Sequence, residues 1–524
     1  MFSHGFAMFN DGLLKGAVVV PDDGSWLKPV ILGCYALVLS VLWFFGVHRY
    51  VIMWYFARNK QNAPQPAHIL SEEELPVVTV QLAVFNEMYV VERLLDAVCR
   101  LDYPTDRLEV QVLDDSTDET VNIARARVAY WQQRGIDIKH IHRTDRTGYK
   151  AGALAEGLKV CRGEFIAMFD ADFVPGSDFI RRQIHHFTDS KIGFVQARWG
   201  HINENQSLLT KLQALFLDGH FVLEHTGRHR SGRFFTFSGT AGMWRKECIA
   251  DSGGWQHDTL VEDCDLSYRA QLKGWRGTYL VDHVVPAELP VDMNAFKSQQ
   301  HRWAKGFIQA MKKMLPTVWR SDQPLKIKIE ATFHLCNNLT YPLMIVLSVL
   351  LLPALFYRSH ALSGIWAVLF DLSLFIGATV SVMSFYIYAQ RQIDRAWYKK
   401  ILYMPLLLAI GIGISLNQSK AVLEAIFNQV SGFVRTPKYH ADSEIRDTSW
   451  SSKRYAVTKN MLPYLELFFA AYYVFVMGYV IWQKQWMALP FVALFLWGYG
   501  YIGVLSVSQH RRRQLAAPSV SFEA

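Results

Sequence analysis

A chain of 524 residues that is 51% hydrophobic and 14% aromatic is rich in apolar side chains for a soluble enzyme. Its formal charge of +8 clusters beside the hydrophobic runs, which suits loops near anionic lipid; the stretch between the runs shows no basic face of the kind a nucleic-acid partner requires. The six cysteines (Cys34, Cys99, Cys161, Cys248, Cys264, Cys336) contain no C-x-x-C pair, which argues against a zinc site or a disulfide framework.

Residues 1–29 carry Lys15 and Lys28 as their firm cations and are expected on the extracytoplasmic side. An apolar run begins at residue 30 and passes His48 and Arg49 into an aromatic belt at 50–56. Arg58 and Lys60 then mark the cytosolic side, so 30–57 reads as a retained anchor. A polar, proline-broken linker follows at 61–66. Up to residue 312 strand and helix signals alternate. Strands are predicted at 77–84, 110–113, 136–141, 164–169, 192–199, 234–237 and 278–281, and helices at 86–100, 119–133 and 150–160. That alternation predicts a mostly parallel, Rossmann-like α/β domain lying between membrane helices. No G-x-G-x-x-G follows the first strand and no P-loop pattern occurs, which disfavours a dinucleotide oxidoreductase or a P-loop enzyme.

Two spans are predicted within 335–388. The run 401–416 is short of the ~20 residues a span needs. Arg391, Arg395, Lys399 and Lys400 precede it, and Lys420, Arg435, Lys438 and Arg446 follow it. The positive-inside rule places both flanks in the cytosol, so 401–460 is expected to start on, or dip into, the membrane surface. A hairpin of two spans fills 461–508, and Arg511, Arg512 and Arg513 keep the tail 509–524 in the cytosol. The count is five spans, or six if 401–416 crosses.

Acidic residues punctuate the ends of predicted strands and helices. The strand at 164–169 ends in Asp170-Ala171-Asp172, which is either a polar turn after a core strand or a D-x-D pair suited to holding Mg²⁺ or Mn²⁺ against a diphosphate. The earlier strand ends in Asp114-Asp115-Ser116-Thr117-Asp118. Asp and Ser are common helix caps, yet Asp114 and Asp115 can equally contact the base and ribose of a nucleotide. Val261-Glu262-Asp263 opens an amphipathic helix; its carboxylates suit a helix start, or one of them can serve as a general base. Desolvation would raise the pKa of such a base and the helix N-terminus would lower it. Gln299, Arg302 and Trp303 share one helix face, where an amide, a guanidinium and an indole suit a phosphate and the flat face of a sugar, or equally an interfacial Trp beside a snorkelling Arg.

Jointly, VQLAVFNE (80–87), QVLDDSTD (111–118), GYKAGAL (148–154), FDADF (169–173), VQARW (195–199), GTAGMWR (239–245), VEDCDL (261–266) and QQHRW (299–303) resemble the processive family-2 inverting glycosyltransferases, which have a GT-A fold. The acidic pair, D-x-D, T-E-D and Q-x-x-R-W occur in the family's order, with Val261 in place of the threonine. That variant is most similar to the cellulose-synthase-like A and C groups, the mannan, glucomannan and β-1,4-glucan synthases. The resemblance covers about residues 76–310.

It implies that Asp114, Asp115, Lys150, Asp170 and Gln299 bind the nucleotide sugar, UDP-glucose or GDP-mannose, and that Asp170 and Asp172 hold the metal. Asp263 would be the base, with Glu262 beside it and Arg302 on the leaving diphosphate. Trp303, Gly239 and Thr240 would meet the acceptor, a growing polysaccharide. Residues 433–438, FVRTPK, resemble the family's gating loop, with Phe433, Thr436 and Lys438 at its matching positions and Arg435 where valine is usual. The expected enzyme is a hexosyltransferase in the cell membrane with a cytosolic catalytic domain, or in a Golgi membrane if the host is eukaryotic. Two alternatives are a synthase adding one sugar to a lipid, as ceramide glucosyltransferases do, and a transporter or sensor that binds nucleotide sugars without turnover.

Overall fold

The computed structural model describes residues 26–358, 375–429, 435–440 and 461–516. At its centre lies a seven-stranded sheet: β1 (Val78–Val84), β2 (Leu108–Asp114), β3 (Ile138–His142), β4 (Phe165–Asp170), β5 (Ile192–His201), β6 (Gly242–Arg245) and β7 (Arg276–Ala287). Its order is β3-β2-β1-β4-β6-β5-β7; β1 to β4 run parallel, as do β5 and β7, and only β6 opposes its neighbours. Every residue of β2 is buried, as expected of a strand covered on both faces. Its polar side chains pair across the ladder: Thr79 Oγ1 donates to Glu109 at 2.6 Å, and Gln81 Nε2 to Gln111 at 3.0 Å, each opposite its partner in register.

One predicted strand is not formed. Residues 234–237 run irregularly because side chains take the backbone groups a ladder would use. The Phe235 N–H donates to Gln271 Oε1, and the Phe237 N–H to Ser267 Oγ at 2.8 Å; Gln271 Nε2 donates back to the Phe235 carbonyl. The antiparallel place between β4 and β5 is filled by Gly242–Arg245 instead. The helix expected at 86–100 is confined to Val91–Val98, since Asn86 adopts a positive φ of 55°.

Among the described residues, four helices are long and apolar enough to cross a membrane: Leu27–Asn59, Leu325–Tyr357, Leu462–Trp482 and Trp486–Arg512. The chain is a membrane protein. The run expected at the surface forms a pair of helices, Trp397–Gly413 and Ser415–Ile426, bent by 41°. The first part of the expected span 365–388 and most of the terminal tails lie outside the described residues.

The sheet domain is fastened to these helices by buried charge. Helix Met293–Arg320 carries Lys297, which meets Glu466 of helix Leu462–Trp482 at 2.5 Å, with side chains 2% and 0% exposed. The same helix sends His301 and Lys305 to Glu424, each at 3.0 Å. Glu466→Ala would leave Lys297 buried without its counter-charge, a loss of about 3–5 kcal/mol. A lower melting temperature of the detergent-solubilised protein, at unchanged membrane insertion, is the expected result; an unchanged melting temperature would show that the pair contributes nothing.

Candidate active site

The carboxyl ends of β1, β2 and β4 lie side by side, because the ladder sets Val84 opposite Asp114 and Ala83 opposite Asp170. Open α/β sheets bind ligands at this edge. A cavity of about 490 Å³ opens there and continues to the apolar helices, where Tyr341 of Leu325–Tyr357 and Ile410 and Gln418 of the bent pair line it. Its lining brings together Asp115, Lys150, Asp170, Asp172, Gly239, Glu262, Asp263, Gln299, Arg302, Trp303, Thr436 and Lys438. Twelve of the residues singled out from sequence therefore share one cavity.

Asp115 follows β2 and is gripped by Arg143, whose Nε and Nη2 donate to its two oxygens at 2.8 and 2.6 Å. Such a fork fixes the plane of the carboxylate. Next to it Arg146 lies over the Phe85 ring, 3.4 Å from its centroid, and Tyr149 flanks the slot. Asp114 faces away from this slot. It is fully buried, its carboxylate accepts from His140 at 2.8 Å and from the Ser116 N–H at 2.9 Å, and it does not line the cavity. Asp114, His140 and His142 bring their ligand atoms within 4.8 Å of one another, and the imidazole–carboxylate hydrogen bond accounts for that closeness.

The D-x-D turn is surrounded by cations. Lys150 Nζ donates to Asp170 at 2.5 Å and to the Gly239 carbonyl at 2.8 Å, while Lys438 Nζ meets Asp172 at 2.6 Å. Burial opposes the charge of Asp170, but Lys150 and Lys438 outweigh it and hold the carboxyl below its ordinary value. Burial likewise works against Lys150, yet Asp170 and Glu262 keep its pKa raised. Thr240 is buried beneath the cavity rather than in its wall; its Oγ1 accepts from the Asp170 N–H at 2.8 Å and so braces the end of β4.

Glu262 and Asp263 begin helix Glu262–Leu272. Asp263 Oδ1 accepts from the Cys264 N–H at 2.8 Å. Burial, with the neighbouring charge of Glu262, pushes the Asp263 carboxyl up to about 7, so desolvation outweighs the helix N-terminus. Burial raises Glu262 as well. Gly239, at φ +75°, leaves the room this requires: a Cβ there would stand 3.1 Å from Asp263 Oδ2.

A short strap, residues 435–440, crosses the cavity beside the D-x-D turn. Arg435 meets Glu87 at 3.1 Å and donates to the Phe85 carbonyl, Arg302 Nη2 donates to Thr436 Oγ1 at 3.3 Å, and the Tyr439 N–H donates to Glu288 at 2.6 Å. Phe433 lies outside the described residues. Sequence reasoning gave no role to Arg143, Arg146, Glu87 or the indole of Trp199, which packs 6.3 Å from Trp303. The phrases holding Glu87 and Trp199 were the available signal; the arginines sit in a loop with no pattern of its own.

Residues 76–306 match the profile described as glycosyltransferase like family 2. The chain is 39% identical over 345 residues to glucomannan 4-beta-mannosyltransferase 1 of Oryza sativa subsp. japonica, an alignment covering 62% of this chain and 66% of the rice protein. It is 33% identical over 523 residues to glucomannan 4-beta-mannosyltransferase 2 of Arabidopsis thaliana, covering 94% of this chain and 93% of that one. Among solved structures, a mannosyltransferase from Pyrobaculum calidifontis in complex with GDP-Man and Mn²⁺ superposes with a TM-score of 0.50 at 18% identity, over 76% of this chain and all of that one, which supports the GT-A fold. With similarity running along nearly the whole Arabidopsis protein, the chain belongs to glycosyltransferase family 2, in the cellulose-synthase-like A group of the glucomannan 4-beta-mannosyltransferases.

Proposed function

We propose that this hexosyltransferase is a processive, inverting synthase that lengthens a β-1,4-linked mannan or glucomannan from GDP-mannose and passes the product toward the membrane helices. The observation that carries this reading is the single cavity joining the D-x-D turn, Asp263 and Trp303 to Tyr341 and Ile410 among those helices. The relatives' mannosyl transfer favours GDP-mannose over UDP-glucose as donor. The catalytic domain would face the cytosol.

Asp115, the Arg146–Phe85 slot and Lys150 would take the nucleotide. Asp170 and Asp172 supply hard oxygen donors, and each already carries an ammonium at 2.5–2.6 Å, so the turn demands positive charge and suits Mg²⁺ or Mn²⁺. A bound divalent ion there would neutralise the diphosphate as it leaves. Arg302 and Gln299 would contact the same diphosphate, with Thr436 and Lys438 closing over it. Trp303 would stack on the acceptor sugar, while Gly239 keeps the wall open. Asp263 would take the proton of the acceptor hydroxyl as that oxygen attacks the anomeric carbon from the face opposite the nucleotide, turning an α-linked donor into a β-linkage.

The test is purified protein supplied with a panel of nucleotide sugars and either metal. Long product from GDP-mannose that an endo-β-1,4-mannanase degrades is expected. A single mannose on lipid, or binding without turnover, would overturn the reading. The base assignment carries a pH signature. Asp263 accepts a proton only when ionised, and its pKa stands near 7, so kcat/KM for transfer should rise with pH through about 7 and level off above it. A profile already flat from pH 5.5, at saturating metal, would contradict the assignment.

A further inference from the structure

Beyond Trp303 the cavity wall is built by an unusual piece of backbone. Residues Gly219–His225 form a π-helix between helices Leu208–Asp218 and Thr226–Arg230. Such wide turns are costly and recur at functional sites. Gly219 lets the Tyr386 and Phe385 rings pack directly on the turn, since a Cβ there would overlap both. The widened turn directs His220 and Glu224 into the cavity, while Phe221 backs the wall from within the core and Val222, Leu223 and His225 are buried away from it.

The polar pair among them is built rather than incidental. Glu224 Oε2 accepts from His220 Nδ1 at 2.9 Å and from Arg228 at 3.1 Å, and Arg228, 3% exposed, is held in turn by Glu330 at 2.9 Å. Burial opposes the charge of Glu224, but Arg228 and His220 outweigh it, so the group is an ionised acceptor. With Nδ1 engaged by the carboxylate, His220 is left with Nε2 as its second hydrogen-bonding atom, and the residue lines the cavity. Both side chains keep cavity-facing surface, 32% for His220 and 26% for Glu224, and Glu224 Oε1 has no hydrogen-bond partner among the described residues. An aromatic run leads to this pair from the reaction site: Trp303 packs on Trp199, and Trp199 on Phe221 at 4.9 Å. Apolar faces followed by a hydrogen-bonding edge match a chain of pyranoses, which has apolar faces and a rim of hydroxyls. A metal ion is a poorer fit, because this wall offers one carboxylate and one imidazole where the D-x-D turn offers two carboxylates.

We propose that His220 and Glu224 form a product-holding subsite one or more sugars beyond Trp303, hydrogen-bonding the hydroxyls of units already transferred, and that this subsite sets how long the growing chain is retained. This rests on the reading of the protein as a polysaccharide synthase. The test compares wild type with Glu224→Gln and His220→Ala, using GDP-mannose, a short β-1,4-manno-oligosaccharide acceptor and GDP alone. Losing a hydrogen bond to a charged group should raise the KM for the oligosaccharide roughly tenfold and shorten the mean product several-fold. GDP affinity and donor KM should stay within about twofold. His220→Ala leaves the Arg228–Glu224 contact in place and so guards against a folding effect of Glu224→Gln. Unchanged product length in both variants, or GDP affinity falling in step with acceptor KM, would overturn the subsite. A wild type that makes no polymer would overturn the function itself and the subsite with it; a polymerising wild type beside unaltered variants would remove the subsite alone.

Discussion

Asp263→Asn is expected to reduce transfer by ~10²–10⁴-fold while GDP and GDP-mannose still bind within about threefold of wild type. The substitution keeps size and removes the only property the proposed step needs, a basic oxygen. Asp263 is well placed for that role: its Oδ1 is fixed by the Cys264 N–H, and burial holds its pKa near 7. Glu262 is adjacent, yet its side chain does not duplicate the first; its charge raises Asp263 and also steadies Lys150. Glu262→Gln should therefore lower the pH at which activity appears rather than abolish it. The measurement is single-turnover transfer alongside calorimetric binding of GDP. Near-normal turnover in Asp263→Asn would remove the base assignment, and loss of binding in parallel would mean that the residue serves the donor instead.

Asp172→Ala is expected to weaken donor binding in the presence of metal by at least on the order of a hundredfold. Loss of a partner one shell further from a metal commonly costs ~10–100-fold, and this carboxylate is proposed as a direct ligand. A second consequence follows from the strap, since Lys438 Nζ reaches both Asp172, at 2.6 Å, and Glu87, at 3.6 Å. Removing Asp172 also removes one anchor of residues 435–440, so affinity for GDP without metal should change far less than affinity with it. Titrating GDP-mannose against the variant at zero and saturating Mn²⁺ separates the two. Equal losses under both conditions would assign Asp172 to the strap and not to a metal.

Most of the architecture was legible from periodicity. Buried parallel strands announce themselves as unbroken apolar runs that stop at a carboxylate, as Phe165–Asp170 does. The failure at 234–237 is instructive for the same reason: three phenylalanines gave it a strand's composition, and nothing local reveals that Ser267 and Gln271, on a later helix, will claim its N–H groups. The candidate site's convergence on one cavity was legible where chemistry coincides with a strand or helix end. Asp114 shows the limit. It and Asp115 are adjacent and alike in sequence, but at the end of a strand neighbouring side chains point to opposite sides, so one meets Arg143 at the cavity and the other His140 behind it. The π-helical wall was invisible beforehand, because widened turns depend on what packs against them, here Tyr386 and Phe385.

The claim on which the rest depends is that one cavity both makes the glycosidic bond and leads its product to the membrane helices. Electron cryo-microscopy of the protein stalled in mid-synthesis, with GDP and divalent metal present, tests it most directly. A chain of sugar density should begin at Trp303, pass His220 and Glu224, and run on beside Tyr341 and Ile410. Density that leaves Trp303 for the cytosolic surface, or a single sugar joined to a lipid, would contradict it.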